Sequence, residues 1–130
     1  MGILDYPFDA AQILAKRKRI RRELLGGERA WIDKRIAILG GSTTHDIKEI
    51  LELFLLNNGI RNEFYESKYG QYWQDAIFPN EEFKEFITDV IFVHTSFRNI
   101  ERFPELTDKP DDISALLDSE YNRFVSMWEN

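Results

Sequence analysis

No cysteine occurs among the 130 residues, which removes disulfides, thiolate catalysis and cysteine-based zinc sites together. Nor is there a run of eighteen consecutive apolar residues, so no transmembrane helix is expected. The opening MGILDYPFDAAQ lacks a basic segment followed by an apolar one and does not read as a signal peptide. A basic balance is missing as well. Seventeen Lys and Arg stand against 23 Asp and Glu, for a net charge of −6. Phosphate neutralisation needs a basic surface, so nucleic acid is not the expected partner. The two histidines, His45 and His94, fall at no metal-ligand spacing even with Asp46 beside the first. The expectation is a soluble cytoplasmic domain without metal or cofactor.

The chain does carry apolar material for a core, at 43%, with 14% aromatic residues, enough for one domain of ordinary size. Residues 8–25 read as an amphipathic helix, with Ala10, Ile13, Leu14, Ile20 and Leu24 on one stripe and Gly26-Gly27 as the stop. From residue 34 the pattern alternates. Ile36 to Leu39 is a continuous apolar run, as in a parallel strand covered on both faces. Ile47, Ile50, Leu51 and Phe54 mark a helix, widened by Leu53, Leu55 and Leu56 into a heavily buried one that stops at Asn57-Asn58-Gly59. RNEFYES (61–67) is a second strand nearer an edge, and a loop with one or two short helical turns follows. DVIFVHTS (89–96) is the third strand. Asp111 to Trp128 is a last helix, with Ile113, Leu116, Leu117, Phe124, Met127 and Trp128 on one side and Pro110 in its first turn.

Strands alternating with helices imply right-handed crossovers and a parallel sheet. The fold class expected is therefore α/β: a small parallel-sheet three-layer sandwich (34–130) behind an N-terminal basic amphipathic helical arm (1–33). The last helix stays amphipathic to the end of the sequence, and the chain reads as one module of something longer.

Two features bear on function. The first helix carries KRKRIRR: Lys16, Arg17, Lys18, Arg19, Arg21 and Arg22 are six of the seventeen basic residues. Such a run is either a solvated face whose stems cover apolar neighbours or a dock for an acidic partner. The second feature is the set of turns after the three strands, where a parallel sheet gathers its ligands. They bring Ser42, Thr43, Thr44, Gly70, His94, Thr95, Ser96, Arg98 and Asn99 toward one end. Ser42 precedes a helix whose free amides suit an anion or an oxyanion, and Arg98 suits a phosphate or carboxylate. Helix capping is the plainer role for the Ser-Thr-Thr run. Gly40-Gly41 is neither a P-loop nor a dinucleotide fingerprint, for no Gly-Lys-Ser/Thr or G-x-G-x-x-G occurs, and there is no G-x-S-x-G elbow.

Small-residue-Ser after the first strand, Gly after the second and Asn after the third resemble the first three blocks of SGNH-type hydrolases. RIAILGGSTTHDIKEILELFLLNNGI, FYESKYGQYWQDAIF, HTSFRNIERFP and EYNRFVSMWE resemble, more specifically, the amino-terminal SGNH-like domain of FkbH-like proteins, over nearly the whole chain. The resemblance implies an SGNH/flavodoxin-like fold, Ser42 at the nucleophile position, and Gly70 and Asn99 in an oxyanion hole; Gly41, Thr43 and Arg98 complete the candidate oxyanion or anion site. It also implies a following haloacid-dehalogenase (HAD) module and an acyl-carrier protein that receives a glyceryl or similar unit, with the basic helix as a dock.

The chain departs from active SGNH enzymes at three points. Gly41 stands where they have Asp, Ile100 follows Asn99 where they have Asp, and the Asp-x-x-His block is missing. His94 is the one candidate base. Three functions follow: an accessory binding domain of an FkbH-like enzyme, a serine esterase or acyltransferase using Ser42, and a non-catalytic scaffold or oligomerisation module.

Overall fold

The apolar run at Ile36–Leu39 lies in β1 (Ile32–Gly40), the central strand, where Ile36, Ala37, Ile38 and Leu39 are all buried. The computed structural model describes residues 2–130. β1 pairs in parallel with β2 (Ile60–Glu66), from Ile32 opposite Ile60 to Ile38 opposite Glu66. On its other side it pairs in parallel with β3 (Val90–His94), from Ile36 opposite Val90 to Gly40 opposite His94. The sheet order is thus β2-β1-β3. Helices lie on both sides, so the chain is an α/β protein built on a three-stranded parallel sheet.

α1 (Ala10–Leu25) starts at Asp9, whose carboxylate accepts the Gln12 N–H, and ends at Gly26. Its Ile13 and Ile20 pack on Leu53 of α2 (His45–Asn57), with Ile50 and Phe54 beside them. α2 is therefore enclosed between α1 and the sheet. Its most buried positions are Leu53 and Leu56, and the stripe read from the sequence at Ile47, Ile50, Leu51 and Phe54 is only partly buried. A helix covered on two sides hides a wider arc than one amphipathic stripe, which shifts the most protected positions.

Side chains alternate across a strand. Ala37 and Leu39 consequently meet Tyr65, Tyr72 and Met127 on the other face, supplied by β2, α3 (Tyr72–Ile77) and α5 (Pro110–Glu129). Phe83 and Phe86 of α4 (Glu81–Phe86) close this core over Tyr65. Ile87 then adopts a positive φ of 50° and turns the chain into β3.

α5 corrects the sequence pattern. Ile113, Leu117 and Trp128 are exposed, and only Met127 of the expected stripe is buried. The inward face runs through Leu116, Glu120, Arg123 and Met127, so two charged side chains occupy positions that hydropathy assigns to the outside. The first half of α5 is almost wholly exposed.

Candidate functional site

β1 ends at Gly40, and the three turns beyond the strand ends are tied to one another by named hydrogen bonds. The Ser67 hydroxyl at the end of β2 accepts the Gly40 N–H at 3.0 Å, while the Ser67 N–H donates to the Ile38 carbonyl at 2.9 Å. From the other side, the Gly41 N–H donates to the His94 carbonyl at 2.8 Å, and the Asn99 amide donates to the Gly41 carbonyl at 2.9 Å. The short turn Phe97–Asn99 is itself held by a reciprocal cap between Ser96 and Asn99. Ser67, which residue type alone did not single out, is thus part of the frame.

Ser42 sits on this frame, exposed, with its hydroxyl 3.5 Å from His94 Nδ1. That separation is longer than the ~2.6–3.2 Å expected of a working nucleophile and base, although such pairs are often looser without substrate. Among the described residues no carboxylate bonds to the imidazole, so nothing fixes its tautomer in the way a third catalytic group does. The ring neighbour of His94 is Phe92, 6.2 Å away between centroids.

Thr44 is the N-cap of α2 but makes no side-chain capping bond. Its side chain is buried against Gly40 instead, where an added Cβ would lie 2.4 Å from the Thr44 methyl. The capping role expected of Ser42–Thr44 is therefore not performed by the N-cap side chain. Among the described residues the first-turn amides of α2 keep no side-chain acceptor, and the positive end of the helix follows directly on Ser42 and Thr43.

The backbone at Gly41 leaves no room for a side chain. A Cβ there would lie 2.3 Å from the Asn99 side-chain amide, so any side chain at 41 displaces Asn99. Asn99 reaches the β1 turn because residue 41 has none. Gly41→Ala is expected to break the Asn99–Gly41 bond and cost about 1–3 kcal/mol. Urea denaturation measures the loss, and Asn99→Ala in the same background would then add little.

The remaining candidates spread out. Gly70 has φ +74° and open space where a Cβ would stand. Arg98 is exposed, its guanidinium over the Phe97 ring at 5.8 Å. A residue absent from the sequence candidates, Arg123 of α5, lies beneath the site. It donates to the Asn99 carbonyl and, at 3.3 Å each, to the Tyr72 hydroxyl and the Glu120 carboxylate. The signal for it was a charge on the stripe that packs inward.

The basic helix is not a uniform patch. Arg17 and Arg21 bridge to Glu49 and Glu52 of α2, and Arg19 pairs with Glu23. Burial disfavours the ionised Glu49, but the hydrogen bond and charge of Arg17, with His45 and Lys18, outweigh it and hold this carboxyl below its ordinary value. Lys16, Lys18 and Arg22 make no ion pair among the described residues and form the exposed remainder. At the opposite end of the sheet a wide groove is lined by Asp33, Arg35, Arg61, Glu63 and Asp89. Its charges are largely matched, with Arg61 on Asp33 at 2.7 Å and Arg35 on Glu63 at 3.4 Å. Its lining is made mainly of paired acidic and basic side chains.

No family model, curated protein or solved structure matches this chain. Among the described residues no helix is long and apolar enough to cross a membrane. Among the described residues no group of His, Asp and Glu could hold a metal ion.

Proposed function

We propose that this chain is an accessory SGNH-like domain of an FkbH-like protein. It binds an acyl, phosphoryl or pantetheine group at the Ser42–Asn99 turns while a HAD module performs the phosphate chemistry. The observation that carries this is the uncapped N-terminus of α2 beside exposed Ser42 and Thr43, on a frame bonded through Gly40, Gly41, Ser67 and Asn99. Such a turn offers fixed donors to an anionic or carbonyl oxygen. The strand order β2-β1-β3 is also how the flavodoxin-like doubly wound sheet begins, with its ligand crevice at this same end. Lys16, Lys18 and Arg22 give an acidic acyl-carrier protein a surface to meet.

A second function, a serine acyltransferase or esterase, is favoured by the Ser42–His94 approach alone. Fluorophosphonate labelling read by intact mass separates the two. The accessory domain leaves Ser42 unmodified in the folded chain. A stoichiometric adduct that disappears in Ser42→Ala makes Ser42 an activated nucleophile and overturns the non-catalytic assignment.

A further inference from the structure

α5 buries one face and leaves an apolar one uncovered. Turned inward are Glu120 and Met127, with the half-buried Leu116 and Arg123. Beside that row Ile113, Leu117, Tyr121 and Trp128 are exposed, the last three by 67%, 60% and 62%. Spacings of four, eight and fifteen residues from Ile113 put them in one stripe along the helix. From Pro110 to Ser119 no residue is buried, so the stripe starts where the rest of the protein gives α5 little cover. It ends at Trp128, which also lines a groove of about 360 Å³ with Phe83, Ile91, Val93 and Met127. Ile91 is itself exposed. Stripe and groove therefore form one apolar track. Its exposed area is on the order of several hundred Å², as much as the largest patch on a typical monomer.

Charge follows one side of this track and has a single sign. Asp118 and Glu129, seven and eighteen residues on from Asp111, stand in the same helical row as it, outside the stripe. None of the three takes part in an ion pair among the described residues. The nearest bases in sequence are Lys109, the N-cap, and Arg123, which is turned inward onto Glu120.

We propose that the track docks an amphipathic helix of another protein, apolar on one face and carrying Lys or Arg along one flank. A helical ridge with side chains at every fourth position accepts the rows of a second helix at about 8–10 Å between axes. The anchors of that helix cover Leu117, Tyr121 and Trp128, and one end lies over Ile91 in the groove. Its bases meet Asp111, Asp118 and Glu129 at the rim, where complementary charge selects the partner and its orientation. A second copy of this chain is a poor occupant. Another α5 brings three more acids and no exposed base except Lys109. The strongly basic helix α1 keeps Ile13 and Ile20 buried on α2 and exposes only Leu14 among its large apolar side chains. The proposal is independent of how Ser42 functions.

Calorimetry and proton–nitrogen correlation spectra of the whole chain test this with two designed amphipathic peptides of about 18 residues, one of Leu and Lys and one of Leu and Glu. The Leu/Lys peptide is expected to bind saturably at micromolar concentration and to shift the amides of Leu117, Tyr121 and Trp128. The Leu/Glu peptide is expected to bind at least about tenfold more weakly. Leu117→Lys, at an exposed position, is expected to weaken Leu/Lys binding at least about tenfold with an unchanged far-UV spectrum. Asp111→Lys combined with Asp118→Lys is expected to reverse the preference between the peptides. No saturable binding of the Leu/Lys peptide overturns the proposal, as does equal affinity for the two peptides or binding that Leu117→Lys leaves unchanged. So does a wild-type dimer in sedimentation equilibrium that Leu117→Lys dissociates, which would make a second copy the occupant.

Discussion

Replacing Arg123 by alanine is expected to cost about 3 kcal/mol of folding stability and to release the Asn99 turn. The side chains of Arg123 and Glu120 are 14% and 10% exposed, so removing the guanidinium strands a carboxylate in a site with little water. The carboxylate also accepts the Glu101 N–H at 3.3 Å, which is a weak replacement for a cation. The same guanidinium holds the Asn99 carbonyl and the Tyr72 hydroxyl, linking α5 to the turn after β3 and to α3. Lysine is not expected to rescue, because a point charge cannot span three acceptors that lie in different directions. Urea denaturation of Arg123→Ala, Arg123→Lys and Arg123→Ala/Glu120→Ala checks this, the double variant recovering part of the loss. A cost below about 0.5 kcal/mol, the ordinary effect of a surface substitution, would remove Arg123 from the frame.

Tyr65→Phe is the second large effect, about 2 kcal/mol. The Tyr65 hydroxyl donates to Asp75 Oδ2 at 2.9 Å, and Asp75 is only 3% exposed, so the substitution leaves a buried carboxyl oxygen without its donor. The ring contacts with Phe83 and Phe86 survive, which isolates the polar contribution. Asp75→Ala in the Tyr65→Phe background is expected to cost less than in wild type.

The same phenol predicts an alkaline limit. Burial raises its pKa above the ordinary value, and the bond to Asp75 with the charges of Asp75 and Glu82 adds to this, against a lowering by Asn80. The folded state therefore binds the proton more tightly than the unfolded chain does. The stabilisation is complete below the ordinary tyrosine range near pH 10 and is lost as pH rises through the folded-state pKa. Of the five tyrosines, Tyr65 should ionise late in an ultraviolet titration, and Tyr65→Phe should remove that late step. A titration in which all phenols ionise together at the ordinary value contradicts it.

Element order was legible because periodicity was strong. The unbroken Ile36–Leu39 run could only be a strand covered on both faces, and the Gly and Asn-Gly stops fixed where α1 and α2 end. The short helices α3 and α4 were visible only as helical turns, since six residues hold too few repeats to show a period. Less legible was what covers what. DVIFVHTS reads as a strand whether or not anything packs on it, and here its first half is open. The α5 stripe was read from hydropathy, whereas the inward face carries Glu120 and Arg123, and the bonds of Arg123 to Asn99 and Tyr72 are long-range. Ser42 and His94 could be placed at adjoining strand ends by topology. The hydrogen bond of Asn99 to Gly41 could not, for it depends on a missing Cβ 58 residues away in the chain.

The central claim is that the turn from Gly40 to His45 is a binding site. Its most direct test is a proton–nitrogen correlation titration of the labelled chain with phosphopantetheine. The account predicts saturable shifts at the amides of Ser42 to Ile47 and at the Asn99 side chain, abolished by Gly41→Ala. Shifts confined to the Asp33–Arg61 groove, or none at millimolar ligand, would contradict it.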